Sequence, residues 1–278
     1  FRFCSRNNTR SRTTWNNTLM FFTSKQIKFF GAKQVAEREW HRQNRLREPF
    51  IRQYEARLKA YYDKMAVEMF EAYNTGSTTI LNLKINDFRK DLQNIFRIQY
   101  TIIANAFKNY ALNRMQNVKD FDSDFDRKLN LYIEENIGTL VTDINETTRK
   151  RIVDAINTGY NNGLSDAETG TLLRNTIIGF GVARANLIAR TETHRTASWA
   201  NETTAENMNI AGTKKEWIAI QDARTRVTHS IASGQQIPLD QKFVVGGERL
   251  KYPGDPSGSP GETINCRCSV IYTTPDFL

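Results

Sequence analysis

The chain has 278 residues, 39% of them hydrophobic and 11% aromatic, enough apolar material for a packed core and too much for wholesale disorder. No apolar run approaches the ~20 residues that a bilayer-spanning helix needs, so no membrane association is expected. The net charge of +9 is uneven: residues 1–36 carry Arg2, Arg6, Arg10, Arg12, Lys25, Lys28 and Lys33 and no acid, leaving 32 of the 39 basic residues against 30 acidic ones.

The excess charge is therefore an N-terminal arm and not a basic face on the folded body. Such an arm suits contact with DNA, non-specifically through phosphate charge, or with an acidic protein surface. A solvated tail and an acid-free organelle presequence are the alternatives. Three cysteines are too few for a disulfide framework and fit a reducing compartment.

Beyond the arm, residues 25–47 read as helix, and Pro49 is placed to open a new one, because Glu48 before it is pushed away from helical backbone. Phe50, Tyr54, Leu58, Tyr61, Met65, Met69 and Tyr73 then recur at steps of three and four, one apolar stripe that Gly76 and Ser77 stop. A second helix spans about 87–118 with Phe88, Leu92, Ile95, Ile102, Ala106 and Tyr110 inward. The alternating Asp120, Asp122, Asp124 and Asp126 fail as a calcium loop, since Phe125 and Leu131 stand where Gly and Glu are needed. A third helix carries Leu129, Ile133, Ile137, Leu140 and Ile144 on one face.

Ser165 and Glu168 form a capping box that starts another helix, with a break expected at Gly179–Gly181 and a stop at Gly212. Residues 214–220 alternate as a strand, 225–233 give one or two helical turns ended by Gly234, and 243–250 read as a hairpin turning on Gly246-Gly247. Residues 263–272 form a last strand. On it, Cys266 and Cys268 would point the same way. The fold class is α+β, mostly helical: a basic arm over 1–36, a long-helix bundle over 37–160 and a small α+β module over 161–278.

Several ordered blocks now carry a resemblance. They are Ala189-Arg190-Thr191-Glu192-Thr193, Trp217-Ile218-Ala219, Asp222-x-Arg224-Thr225, Gly234, Tyr252-Pro253-Gly254-Asp255-Pro256 and Asn265-Cys266-Arg267-Cys268. Together they resemble the phage Mu F-like head morphogenesis family of minor capsid proteins, over roughly residues 160–273. The resemblance implies a structural minor head protein of a tailed phage, acting in head assembly near the portal and contacting packaged DNA. It implies the portal and other capsid proteins as partners, the virion and the host cytoplasm as locations, and no enzyme activity. Asp222, Arg224, Gly234, Gly254 and Asp255 are the structural motif positions. Many relatives have a Cys-x-x-Cys pair and an additional His where this chain has Arg226, His229 and Thr263.

That leaves His229, Cys266 and Cys268 as an incomplete candidate metal set, with Asp222, His194 or Asp255 as a conceivable fourth ligand. A closed zinc site needs four, so no cofactor is expected and ordinary packing is favoured over zinc. The alternative function is a metal-dependent DNA-processing enzyme using His229, Cys266 and Cys268, with His194, Glu192, Asp222 or Asp255 in support. No recognisable catalytic spacing backs it, and Glu192 and His194, two apart on a helix, do not share a face.

Overall fold

A computed structural model describes residues 21–23, 31–113 and 122–275. Four long helices make up most of it: α1 Ala32–Asn74, α2 Thr78–Leu112, α3 Asp122–Asn161 and α4 Asp166–Met208. A small module follows, with β2 Lys214–Ile218, α5 Val227–Ala232, β3 Gln236–Pro238, β4 Phe243–Val245, β5 Glu248–Leu250, the one-turn helix α6 Pro260–Thr263 and β6 Ser269–Thr274. The short strand β1, Phe21–Thr23, lies parallel to β6. The sheet order is β1-β6-β2-β3, with β2 antiparallel to both of its neighbours, and β4 and β5 form a separate hairpin. The expected mostly helical α+β class holds.

The stripes of α1 and α3 are inside as their periodicity requires, with Tyr54, Leu58, Tyr61, Met65 and Met69 meeting Leu129, Ile133, Ile137 and Ile144 in one core. On α2 the buried line is Phe88, Leu92, Phe96, Ile103 and Phe107, while Ile102 is exposed. Adjacent isoleucines left both phases open there, and the aromatic pair Phe96 and Phe107 decides it by filling the core.

Two expected breaks are absent. Helix α1 runs through Pro49, although proline removes a helical amide and crowds the preceding turn. Both sides of Pro49 are anchored. Upstream, Trp40 Nε1 donates to the Arg267 carbonyl (2.7 Å), Gln43 Nε2 to the Val270 carbonyl (3.1 Å) and Arg47 to Ser269 Oγ (3.2 Å). Downstream, Tyr54 and Leu58 are fully buried in the bundle. Helix α4 likewise continues through Gly179 and Gly181. Gly181 sits against Tyr62, where an added Cβ would come within 2.6 Å of the tyrosine Cβ, so this glycine permits a close helix crossing and does not end the helix.

The capping box is present: the Ser165 amide donates to Glu168 Oε2 (2.8 Å) and the Glu168 amide to Ser165 Oγ (3.3 Å). Helix α4 then becomes the axis of the molecule. Its early turns pack Leu173, Ile177 and Phe180 into the bundle, and nearly every residue from Thr191 to Ala205 is buried whatever its polarity. That buried polar stretch lies beneath the C-terminal module.

Candidate functional site

The three candidate ligands converge. His229 is on the inward face of α5, and Cys266 and Cys268 lie in the extended segment between α6 and β6, one step short of the strand on which they were expected. All three are buried. His229 Nδ1 is 3.2 Å from Cys268 Sγ and 3.6 Å from Cys266 Sγ, and the three ligand atoms all lie within 4.8 Å of one another. The other imidazole nitrogen, Nε2, is 2.9 Å from Glu262 Oε2, and Thr228 Oγ1 donates to the same oxygen at 2.8 Å. The Trp217 ring meets the imidazole edge-on, with ring centres 5.7 Å apart.

Electrostatics inside the cluster are asymmetric. Burial pushes the Cys266 thiol up, but the hydrogen bonds from Cys268 and His229 outweigh it and hold the group well below the ordinary thiol range. Burial and the Cys266 sulfur push Cys268 the other way. The next shell is basic. Arg267 forks onto Asp222, with one bond of 2.9 Å and a second closer one, and Arg226 donates to the Ile264 carbonyl (2.6 Å).

The conceivable fourth ligands are committed elsewhere. Asp222 is held by Arg267 and accepts from the Arg224 amide (3.0 Å). Asp255 accepts from the Lys251 and Ser257 amides (2.7 and 2.9 Å), which closes the 252–258 loop. His194 Nε2 meets the Cys268 carbonyl at 2.7 Å. Burial, then the Arg47 charge, lower its pKa to about 4, so the ring is neutral, donates through Nε2 and keeps a bare Nδ1. Glu192 is engaged by Tyr100 (2.5 Å) and Arg195 (3.1 Å).

The motif blocks meet one another across the seam between α4 and the module. Arg190 Nε donates to Asn265 Oδ1 (3.1 Å), and the Asn265 amide donates to Thr191 Oγ1 (3.0 Å). Asn265 has φ 55°, a left-handed conformation that asparagine tolerates better than most residues. Arg195 Nε donates to the Gly254 carbonyl (3.2 Å), and Gly254 has φ 81° with its α-carbon against His194 and Arg195. Gly234, at φ 86°, returns its amide to the Trp217 carbonyl (2.8 Å). The Arg224 side chain is exposed, 3.9 Å from Asp222. Lys33 is exposed on the first turn of α1, while Arg2, Arg6, Arg10, Arg12, Lys25 and Lys28 lie outside the described residues.

Sequence reasoning missed Glu262, which no motif block contained. Its signal was available: it follows Pro260 in the first turn of a one-turn helix, near the two cysteines. The space beside His229 and Cys268, edged by Thr225, Asn265 and Arg267, holds about 10 Å³. That is about one water molecule and far short of a nucleotide.

Residues 146–271 match the family model described as Phage Mu protein F like protein. The NAD(+)--arginine ADP-ribosyltransferase EFV of Enterococcus faecalis is 33% identical over 124 residues, which are 44% of this chain and 25% of that protein. The minor head protein GP7 of Bacillus phage SPP1 is 36% identical over 94 residues, 33% of this chain and 30% of that protein. The chain thus spans between a quarter and a third of the length of these curated relatives. No solved structure matches.

Proposed function

We propose, from the match of residues 146–271 to the phage Mu F-like family model, that the protein is a minor head component of a tailed phage with a structural role in head assembly. The observation that carries this reading is how the motif residues are used. Asn265, Asp255, Gly254, Gly234 and Asp222 each satisfy a turn or a contact within the module or across its seam with α4. Motif positions of this kind hold a shape. A long helical body ending in a rigid, loop-rich module suits a particle component that packs against other capsid proteins. On this reading it is made in the host cytoplasm and ends in the virion, near the portal.

The alternative, a metal-dependent DNA-processing enzyme built on His229, Cys266 and Cys268, is less well supported, because the space beside the cluster is water-sized. The enterococcal relative is named a transferase, and the shared stretch is a quarter of that protein. The arm of Arg2, Arg6, Arg10, Arg12, Lys25, Lys28 and Lys33 is the element we assign to packaged DNA or an acidic capsid surface.

The test is to locate the chain in purified particles with gold-labelled antibody. Labelling of heads, concentrated at the portal vertex, is expected. Particles complete without the chain would overturn the structural reading, and labelling spread evenly over the shell would remove the portal from it.

A further inference from the structure

We propose that His229, Cys266 and Cys268 form a binding site for one zinc-class divalent cation, with His229 Nδ1 and the two Sγ atoms as ligands and a water as the fourth. The inference is independent of where the protein sits in a particle.

The spacing is that of a coordination shell. A tetrahedron with bonds of ~2.0 Å to nitrogen and ~2.3 Å to sulfur places N and S about 3.5 Å apart. His229 Nδ1 lies 3.6 Å from one sulfur and 3.2 Å from the other. The three groups come from two separate segments, α5 and the stretch before β6, so chain proximity alone does not explain their convergence.

The imidazole is also set for coordination. Glu262 Oε2 accepts the Nε2 proton at 2.9 Å, which leaves the Nδ1 lone pair facing the sulfurs. A carboxylate behind a histidine is the usual outer partner of a metal-bound imidazole, because it fixes the tautomer and raises ligand basicity. Thr228 Oγ1 anchors that carboxylate and Trp217 flanks the ring. Charge balances as well: two thiolates neutralise a divalent ion, so the filled buried site carries no net charge, and the thiol protons leave to solvent on binding. Thiolate and imidazole donors select zinc over magnesium or calcium.

The fourth place follows from the volume. About 10 Å³ lies beside His229 and Cys268, room for about one water and for no further side chain. The site would clip α5 to the root of β6 and so close the module across its loops.

The test uses the full chain, reduced and freed of metal, titrated with cobalt(II) and followed by absorbance. Tetrahedral d–d bands and a thiolate charge-transfer band saturating at one cobalt per chain are expected, with zinc displacing cobalt. Cys266→Ser/Cys268→Ser should lose the charge-transfer band, and Glu262→Gln should keep the spectrum with affinity weakened about 10- to 100-fold. Because the double variant could fail to fold, the wild-type titration decides by itself. A chain with full helical circular dichroism that gives no tetrahedral cobalt spectrum overturns the site. So does a spectrum retained in the folded double variant, or a cobalt affinity unchanged in Glu262→Gln.

Discussion

The Lys215 ammonium donates to the Glu202 carboxylate inside the seam between β2 and α4, where both side chains are almost wholly buried. Tyr272 Oη donates to the other carboxylate oxygen (2.8 Å), and Lys215 reaches the Lys251 carbonyl (2.9 Å). A buried pair contributes little net stability, because desolvation offsets most of the attraction, but removing one partner strands the other charge. Lys215→Met should therefore destabilise the fold by about 3–5 kcal/mol in urea unfolding. Lys215→Met/Glu202→Leu should recover much of that loss. A single variant as stable as wild type, or a double variant with additive losses, would show that the pair does not join the module to the helix.

Glycine at a helix crossing gives a sharper contrast. A Cβ on Gly181 would meet the Tyr62 Cβ at 2.6 Å, whereas at Gly179 it would meet nothing within 4 Å. Gly181→Ala should cost about 1–3 kcal/mol from overpacking. Gly179→Ala, two residues away on the same helix, should gain up to about 1 kcal/mol from helix propensity. Thermal unfolding of the two variants compares them directly, and a common sign would remove the close crossing as the reason for Gly181.

His194 links the fold to pH. Burial, then the Arg47 charge, lower its pKa from 6.5 to about 4. The folded chain therefore holds fewer protons there than the unfolded chain between those values. Its contribution is fully present above about pH 6.5 and is lost as pH falls through about 4. His194→Gln keeps a donor for the Cys268 carbonyl and removes the titration. The fall in unfolding free energy from pH 7 to 4.5 should shrink by about 2 kcal/mol relative to wild type. Equal falls in the two proteins would mean that the ring is accessible to protons in the native state.

The helical stripes of α1 and α3 were legible because periodicity reports one buried face, and the Ser165 cap because its chemistry is local. The breaks expected at Pro49 and at Gly179–Gly181 failed for one shared reason. Local propensity costs a few kcal/mol, and tertiary contacts on both sides, through Gln43 and Tyr54 in one case and Tyr62 in the other, outweigh it. The interior of α4 could not be read at all. Thr193, Thr196, Glu202 and Thr204 are buried beside apolar neighbours, so no stripe exists to betray which side faces inward. At the site, His229, Cys266 and Cys268 were identifiable as ligand-capable residue types, but Glu262 became visible only once α6 placed it behind the imidazole.

The arm carries the last prediction. Arg2, Arg6, Arg10, Arg12, Lys25 and Lys28 supply six charges without a neighbouring acid in residues 1–36. If they contact DNA, each neutralised phosphate releases counterion, and the observed affinity falls with salt at about −0.9 in log–log slope per contact. Replacing all six with glutamine leaves β1 and α1 intact in sequence. It should weaken DNA binding at low salt and reduce the slope by up to about five, whatever the DNA sequence. Filter binding from low to raised salt measures both quantities. An unchanged slope would move DNA contact from the arm to the folded body, and the arm would then answer to an acidic capsid surface or to solvent.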